Sequence, residues 1–354
     1  MSDPLLTVAI PAHNAENSIT GLLSSLCSQK TSFGFEILVA DDGSTDGTAA
    51  LAEGFGDGRI RCLRGEKSGV SAARNRLIDA AKGRYIMFAD SDDYLLPGAL
   101  EAAVSALDEN GAELVIFGFE IENTDTKTLS PYAGDSALLF SERDYGENLL
   151  SLYARNMLNP CWNKAYSLGF LRKNNIRFPG ISYGEDRLFC FDVLDLAPKA
   201  AVLSETFYRY TQSTRETLTT KFLPEKFDIC LEIDRRFVRL CSRFGISRGK
   251  YAKLADYMLV KSALSCLATL KSPSCRLSPK ERRRFARTVV RSERLASCRE
   301  FPPECGKLFR LSARVLQTRS VNLALLMTAG IHVMTRLFPD RIRRAKHAYN
   351  KKNT

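Results

Sequence analysis

Short apolar runs alternate with helix-like patterns through the first 120 residues, and this alternation constrains the fold more than any other feature of the chain. The runs are residues 7–10, 36–40, 60–63, 85–89 and 114–117. Between them, apolar residues recur every three or four positions, which is typical of helices with one buried side. Strands that alternate with helices predict a mostly parallel sheet covered by helices on both faces. Ligands bind such sheets beyond the carboxyl ends of the strands, so the polar residues after each strand are candidate site residues.

The remainder of the chain predicts a different organisation. Residues 121–225 are less regular, whereas helical periodicity dominates from residue 226 and is interrupted by Pro302 and Pro303. The segment 321–338 is apolar but contains polar residues such as Asn322, which favours a helix packed on the protein or lying in an interface over a membrane span. The sequence therefore predicts an α/β fold with a mainly helical C-terminal extension.

Positive charge is concentrated near the C-terminus. The chain has 51 Lys and Arg residues and 40 Asp and Glu residues, and residues 271–354 hold 21 of the former but only 5 of the latter. This charge is consistent with a basic face exposed to solvent. It is also consistent with binding to an anionic membrane surface, because apolar residues lie between the basic clusters. No nucleic-acid-binding motif accompanies the charge, so nucleic acid is not an expected partner.

Cysteine and histidine usage limits the metal chemistry and the cellular location. The ten cysteines are scattered without a paired spacing, which favours reduced thiols in a cytoplasmic protein. No secretion leader precedes the first apolar run, so we expect a protein that is not secreted. The three histidines, His13, His332 and His347, lie far apart in sequence. A catalytic metal would therefore rest on carboxylates and ligand phosphates, which favours Mg²⁺ or Mn²⁺.

Polar clusters follow the first two predicted strands. Residues 10–14 read Ile-Pro-Ala-His-Asn, and residues 41–47 read Asp-Asp-Gly-Ser-Thr-Asp-Gly. Asp41 and Asp42 cannot both be deeply buried and unpaired, because an isolated buried carboxylate is strongly unfavourable. We expect one of them to accept hydrogen bonds from a ligand. A turn followed by a helix cap explains the same residues without a ligand.

A third acidic cluster, Asp90-Ser91-Asp92-Asp93, follows the fourth predicted strand. Side chains alternate along a strand, so Asp90 and Asp92 can point to the same side. Their oxygens suit Mg²⁺ or Mn²⁺ bound together with a diphosphate. An acidic cap before the helix that Pro97 opens explains Asp93, but not the other two aspartates.

Four segments stand out in order, at residues 7–14, 37–46, 69–75 and 88–93, and two weaker ones follow at 159–164 and 184–189. In order and spacing, the four closely resemble the bacterial family 2 glycosyltransferases of the GT-A fold. The resemblance covers about residues 1–220. It implies an inverting, metal-dependent transfer of a sugar from a nucleotide diphosphate sugar, commonly a UDP-sugar, to a hydroxyl of a glycan or lipid-linked acceptor. The expected setting is envelope or extracellular polysaccharide synthesis, in the cytoplasm or peripherally on the inner face of the cell membrane.

The resemblance also implies two halves of a GT-A domain. Residues 1–120 would form the half that binds the nucleotide sugar, and residues 121–225 the half that binds the acceptor and carries catalysis. Residues 226–354, outside the resemblance, are predicted from their helical periodicity and positive charge to form a helical, basic C-terminal region.

Individual roles follow from the same resemblance. Pro11 and His13 would lie against the base, Asp42 would accept from the uracil ring, and Asp90 would sit near the ribose. The other residues expected around the nucleotide are Asn14, Ser44 and Arg74. Asp92 would bind Mn²⁺ or Mg²⁺, and Asp186 of the pair Glu185-Asp186 would be the general base. On the acceptor side we expect Trp162, Asn163 and Lys164. His13 stands where many relatives carry Tyr.

Several alternatives remain at the level of sequence. Asp186 also suits the acidic first turn of a helix, and Trp162 also suits a core position. Arg215 and residues 217–219 are candidates for contacts with the diphosphate, and Arg215 also suits a solvated position. Two other classes of protein share some of these features: a sugar nucleotidyltransferase, whose usual glycine-rich basic loop is missing after the first strand, and a non-catalytic scaffold that binds nucleotide sugars.

Overall fold

The computed structural model of the protein describes residues 3–212 and 221–337, without the side chains of residues 332–337. The chain divides into two compact units, Met1–Thr214 and Arg215–Thr354. The boundaries that we predicted after residues 120 and 225 stay predictions.

The first unit contains the sheet and the helices that cover it. Its strands are β1 (Leu6–Ala12), β2 (Phe35–Asp42), β3 (Ile60–Gly65), β4 (Tyr85–Phe88), β5 (Tyr94–Leu95), β6 (Leu114–Asn123), β7 (Thr128–Tyr132), β8 (Ala137–Leu139), β9 (Lys164–Ser167) and β10 (Ala200–Gln212). Its helices are α1 (Ile19–Cys27), α2 (Thr48–Glu53), α3 (Val70–Ala80), α4 (Ala99–Asn110), α5 (Glu142–Ala154), α6 (Leu168–Lys173) and α7 (Glu185–Leu196).

The strand order is β3-β2-β1-β4-β9-β6-β10-β5, with β7 paired to β6 and β8 paired to β10. Strands β3, β2, β1 and β4 are parallel, as the alternating pattern predicted. Strand β9 lies antiparallel between β4 and β6, so the complete sheet is mixed. The sequence did not predict β9, because its residues Lys164–Ser167 begin and end with polar side chains and do not form an apolar run like β4. The predicted α/β class and the helical C-terminal region are confirmed.

Burial of the central strands explains why they read as apolar runs. Every residue of β1 is buried, as expected for a strand with both faces covered. Helix α1 buries Ile19, Leu22, Leu23 and Leu26, which lie on one side of the helix. Because β1, β2 and β4 are parallel, their carboxyl ends meet at one edge of the sheet, where His13, Asp42 and Asp90 are found.

The second unit is helical among its described residues. Its helices are α8 (Lys226–Arg243), α9 (Arg248–Thr269), α10 (Pro279–Val290), α11 (Glu293–Ala296), α12 (Lys307–Gln317) and α13 (Val321–Leu337). Arg294 of α11 forms ion pairs with Asp234 of α8 at 2.8 Å and Asp256 of α9 at 2.9 Å. In residues 3–212 and 221–337, none of the helices combines the length and the apolar character that a membrane crossing requires.

Candidate active site

A single buried arginine joins three carboxylates at the carboxyl edge of the sheet. Arg74 of α3 is 3% exposed. Its guanidinium donates to Asp90 at 2.9 Å, to Glu185 at 3.1 Å and, by a short hydrogen bond, to Asp186. The last two partners lie more than 100 positions further along the chain. The structure thus brings together the acidic residue expected near the ribose and the pair expected to carry catalysis.

Local structure explains how the Glu185-Asp186 pair reaches Arg74. Gly184 has φ +75°, a left-handed conformation that lets the chain turn sharply into α7, and both acidic residues lie in the first turn of that helix. The side chain of Asn75, next to Arg74, accepts from the Phe178 amide and donates to the Phe178 carbonyl, each at 2.9 Å. Residue 178 is therefore fixed to α3 shortly before α7 begins.

The environment of Asp186 gives it an unusual acidity. Burial raises the pKa of Asp186 to about 7, and the negative charges of Glu185 and Asp90 act in the same direction, while Arg74 lowers it. Burial is the main cause of the direction, and the two other carboxylates that share the single guanidinium of Arg74 add to it. A carboxyl group with this pKa can take up and release a proton near neutral pH, which is the property required of a general base.

Tyr208 and Asp93 hold the acidic segment after β4 against β10. The Tyr208 hydroxyl donates to the Asp93 carboxylate at 2.7 Å and accepts from the Asp90 amide at 3.0 Å. Asp93 also accepts from the Thr211 amide at 2.8 Å. Asp93 and Tyr208 are both fully buried, and burial raises the pKa of Asp93. Asp93 therefore supports the segment and does not cap the following helix as the sequence suggested, because the N-cap of α4 is Gly98 and no side chain caps it.

Asp92 is the most exposed carboxylate of this segment, whereas Asp90 is partly exposed and Asp93 is buried. It makes no hydrogen bond to any other side chain within residues 3–212 and 221–337. Desolvation by neighbouring protein atoms, and then the negative charge of Asp90, raise the pKa of Asp92. No group of three acidic, histidine or cysteine residues in the described part of the chain has the arrangement of a complete metal cage. The residues fit a divalent cation that takes one or two protein carboxylates and completes its shell with ligand phosphates and water.

Asp42 is buried and already engaged. One of its carboxylate oxygens accepts from the Ser68 amide at 2.8 Å and from the Ser68 hydroxyl at 2.9 Å, and the other accepts from the Gly69 amide at 2.9 Å. These bonds hold the turn before α3. The predicted contact with uracil stays a prediction, and Asp42 has this additional role in the structure.

His13 has one ring nitrogen without a partner. Its Nε2 lies 2.9 Å from Lys67 Nζ, while its Nδ1 is buried and has no hydrogen-bond partner among the described residues. Gly43, with φ +68°, lets the chain pass Lys67 closely, because a Cβ there would lie 2.6 Å from the Lys67 amide nitrogen. The predicted contact of His13 with the base stays a prediction. Pro11, which lies in β1 two positions before His13, is buried.

Asn14 and Ser44 join the loops after β1 and β2. The Asn14 amide donates to the Ser44 hydroxyl at 3.0 Å, and the Asn14 side-chain oxygen accepts from the Thr45 amide at 2.9 Å. Asn14 adopts φ +51°, which asparagine tolerates better than most residues. Both residues therefore shape the edge of the predicted nucleotide site, and their contact with a ligand stays a prediction.

The predicted acceptor contacts of Trp162, Asn163 and Lys164 need correction, because all three side chains point into the protein. Asn163 and Lys164 are fully buried. Lys164 Nζ donates to the carbonyls of Met157 and Pro160 at 2.7 and 2.6 Å. Such buried donors are satisfied by the loop itself, so these residues fix the loop and cannot contact an acceptor directly.

Trp162 is likewise a packing residue. Trp162 is 6% exposed, and its ring is stacked with the rings of Tyr208 and Tyr210, at centroid distances of 4.4 and 5.5 Å. Phe119 meets it edge-on. The alternative of a core tryptophan therefore describes this residue better than a platform for a sugar ring.

Some site residues were missed by the sequence analysis, and some predicted ones cannot be located. Lys67 and Ser68 lie just before α3 and contact His13 and Asp42. The only sequence signal for them was their polarity ahead of a predicted helix. The candidates Arg215 and residues 217–219 lie outside the described residues.

Comparison with known proteins decides the family. A family model described as Glycosyl transferase family 2 matches residues 7–172. The Escherichia coli protein WfgD, described as UDP-Glc:alpha-D-GlcNAc-diphosphoundecaprenol beta-1,3-glucosyltransferase, is 31% identical over 179 residues, which are 49% of this chain and 68% of WfgD. The chain belongs to glycosyl transferase family 2. The resemblance inferred from the four sequence motifs is thereby confirmed.

Other members of family 2 show how far the likeness extends. The uncharacterized glycosyltransferase EpsJ of Bacillus subtilis is 27% identical over 224 residues, which are 62% of this chain and 65% of EpsJ. This family 2 chain thus spans somewhat less than two thirds of that relative. The crystal structure of residues 1–349 of Staphylococcus aureus TarS with UDP-GlcNAc matches with a TM-score of 0.62 at 20% identity, covering 92% of this chain and 91% of that one. This match confirms the GT-A fold.

Proposed function

We propose that this family 2 protein is an inverting, metal-dependent glycosyltransferase that transfers a sugar from a UDP-sugar to a hydroxyl of a glycan or lipid-linked acceptor. The observation that carries the proposal is the convergence of Asp90, Glu185 and Asp186 on Arg74 at the carboxyl edge of the sheet. It places a carboxyl group with a pKa near 7 beside the edge where nucleotides bind in sheets of this kind.

The chemistry follows from this arrangement. The Asp186 carboxylate accepts the proton of the acceptor hydroxyl while the oxygen of that hydroxyl attacks the anomeric carbon. The bond from the anomeric carbon to the diphosphate breaks, and the diphosphate leaves with the electron pair. One base and one displacement give inversion. Arg74 holds Asp186 in place throughout. Asp92 would hold a Mn²⁺ or Mg²⁺ ion, which supplies positive charge for the departing diphosphate.

The donor, acceptor and location are proposed from the relatives and from the charge pattern. The description of WfgD gives a UDP-sugar donor and an acceptor linked to a lipid diphosphate. We propose the same classes here, in envelope or extracellular polysaccharide synthesis. The proposed location is the cytoplasm, and the positive charge of residues 271–354 is the reason to place the protein at the inner face of the membrane.

Thermal stabilisation with a panel of nucleotides tests the donor class. We expect UDP and UDP-sugars with Mn²⁺ to raise the melting temperature, and GDP and ADP to raise it much less. Release of UDP from a UDP-sugar then tests catalysis. A protein that binds UDP but releases it from none of the sugar donors would be the non-catalytic scaffold, and our proposal would be wrong.

Replacing Asp92 should remove the metal dependence of donor binding. In Asp92→Asn the metal loses a charged ligand, so we expect Mn²⁺ to have little effect on the affinity for UDP, whereas it should tighten UDP binding to the wild type at least about tenfold. Isothermal titration with and without Mn²⁺ measures the difference. Asp125→Asn, in an exposed loop, is the matched control. An unchanged response of Asp92→Asn to Mn²⁺ would remove Asp92 from the metal site.

The rate of transfer should depend on pH through Asp186. The base acts only when it is deprotonated, and its pKa is about 7. We therefore expect kcat/KM to level off above pH 7 and to fall about tenfold per pH unit well below it. Initial rates measured from pH 5 to pH 9 at saturating metal test this. A profile that stays flat down to about pH 5 would contradict the raised pKa.

The same shift has a consequence for stability. The pKa of Asp186 rises from 3.8 to about 7 on folding, so between these values the folded protein binds its proton more tightly than the unfolded chain does. The contribution of this group to the free energy of unfolding therefore falls as pH rises through this window. We expect Asp186→Asn, which resembles the neutral form, to be more stable than the wild type at pH 8, and the difference to shrink towards pH 5. Urea unfolding at both pH values measures it.

A further inference from the structure

Helices α12 and α13 expose four leucines on their outer sides. Leu308, Leu311, Leu323 and Leu326 are between 46% and 70% exposed. Within each helix the two leucines are three positions apart, so they lie on the same side. Helix α12 packs against α13, with Ala313 and Ala324 among the buried residues on their inner sides. Single exposed leucines are common on protein surfaces, but a group of four on two packed helices marks an interaction surface.

A row of cations on α10 adjoins this apolar surface. Lys280, Arg283, Arg284 and Arg287 are exposed, and their spacing of three, four and seven positions places them on one side of the helix. Arg283 donates to the side-chain oxygen of Asn322 at 2.8 Å. Asn322 is an exposed residue of α13 directly before Leu323, so the basic side of α10 borders the leucines. Two further exposed cations, Lys307 and Arg314, flank the leucines of α12.

Nearby acidic residues leave this positive charge in place. The carboxylate of Glu281 on α10 accepts from the amide and hydroxyl of Ser278 in a capping box. Glu293 pairs with Arg319. Neither carboxylate forms an ion pair with the four cations of α10 or the two of α12, and among these cations only the charge of Arg284 acts on Glu281 in the described residues.

We propose that the outer side of α10, α12 and α13 docks on the surface of an anionic lipid bilayer. The leucines would enter the boundary between headgroups and acyl chains, while the cations bind lipid phosphates. A bilayer supplies an apolar layer beneath a negatively charged one, and that combination matches neighbouring apolar and basic stripes. A second copy of the chain matches less well, because a two-fold contact would bring the same cations against each other.

Docking of this kind would keep the protein where lipid-linked acceptors lie. The surface belongs to the second unit, and its evidence does not depend on the proposed chemistry of the first. Vesicles that contain neither a sugar donor nor an acceptor therefore test it separately from the proposed function.

Vesicle flotation of the full chain is the experiment. We expect the protein to float with vesicles of phosphatidylglycerol and phosphatidylcholine, to remain at the bottom with phosphatidylcholine alone, and to detach as salt is raised. The double variant Arg284→Glu/Arg287→Glu should lower the partition coefficient by at least about tenfold. Leu311→Ser/Leu326→Ser should lower it by about tenfold, because each leucine loses its apolar contact with lipid.

Matched variants separate this surface from general charge and general hydrophobicity. Lys250→Glu/Lys253→Glu makes the same charge change at exposed residues at the start of α9, and Leu129→Ser/Leu138→Ser replaces two leucines that are about 50% exposed in the first unit. We expect both to float like the wild type, and all four variants to keep the wild-type melting temperature. Equal losses in the test and control variants would overturn the proposal. A second result would also overturn it: absence of vesicle binding, together with concentration-dependent dimerisation in gel filtration that Leu311→Ser/Leu326→Ser abolishes. The partner of this surface would then be a second copy of the chain.

Discussion

Asp186→Asn is expected to lower the rate of sugar transfer about 100- to 10,000-fold, the range typical of losing a general base. An amide cannot take the proton of the acceptor hydroxyl, so the hydroxyl remains a poor nucleophile. Binding of the donor should persist, because the variant keeps Asp92 and the residues at the ends of β1 and β2. Single-turnover transfer rates and UDP titration, measured on the same preparation, separate the two effects.

Asp135→Asn is the control for the change of an aspartate to an asparagine. Its side chain is 88% exposed and its carboxylate lies 3.7 Å from Arg155, so we expect transfer at the wild-type rate. If Asp186→Asn also transferred sugar at nearly the wild-type rate, Asp186 would not be the base. Another carboxylate, with Glu185 as the nearest candidate, would then have to be tested.

Arg74→Met is expected to lower the free energy of unfolding by about 3–5 kcal/mol at pH 8, as removal of one partner of a buried ion pair does. Asp90, Glu185 and Asp186 would then face one another without a cation. The loss should be smaller at pH 5, where Asp186 is protonated and carries no charge. Urea unfolding at the two pH values measures both effects.

Arg64→Met is the matched control, since Arg64 also pairs with a carboxylate but at the surface. Arg64 and its partner Glu53 are 62% and 44% exposed, and exposed pairs contribute little to stability because water and salt screen them. We expect Arg64→Met to unfold at nearly the same urea concentration as the wild type. Arg74→Lys should fall between Arg74→Met and the wild type, because one ammonium group cannot reach three carboxylates as the planar guanidinium does. Equal losses in Arg64→Met and Arg74→Met would mean that Arg74 does not hold the acidic residues together.

The role of Arg74 differs from the one that the sequence suggested. We expected it among the residues around the nucleotide, but its guanidinium is buried and donates to three carboxylates. It therefore connects the acidic segment after β4 with the first turn of α7. A residue in this position acts on the chemistry through its neighbours, by fixing where Asp186 stands and how strongly it holds a proton.

Trp162, Asn163 and Lys164 show why a motif can mislead about contact. Their order in the sequence matched an acceptor-side segment, but sequence order does not reveal which way side chains point. In the structure, Lys164 binds carbonyls of its own loop and Trp162 stacks with Tyr208 and Tyr210. Burial explains these contacts, because a buried amine or indole needs partners inside the protein.

The sequence by itself determined the class of fold, the family and the identity of most acidic residues at the sheet edge. It could do so because buried parallel strands read as apolar runs and because polar residues follow them at fixed positions. Only the tertiary structure decided how those residues are paired. Arg74 meets Glu185 and Asp186 across more than 100 positions, and β9 enters the sheet between β4 and β6. Pairing between residues so far apart in sequence depends on which charges and surfaces come into contact in the folded chain. A local sequence pattern contains no information about those contacts.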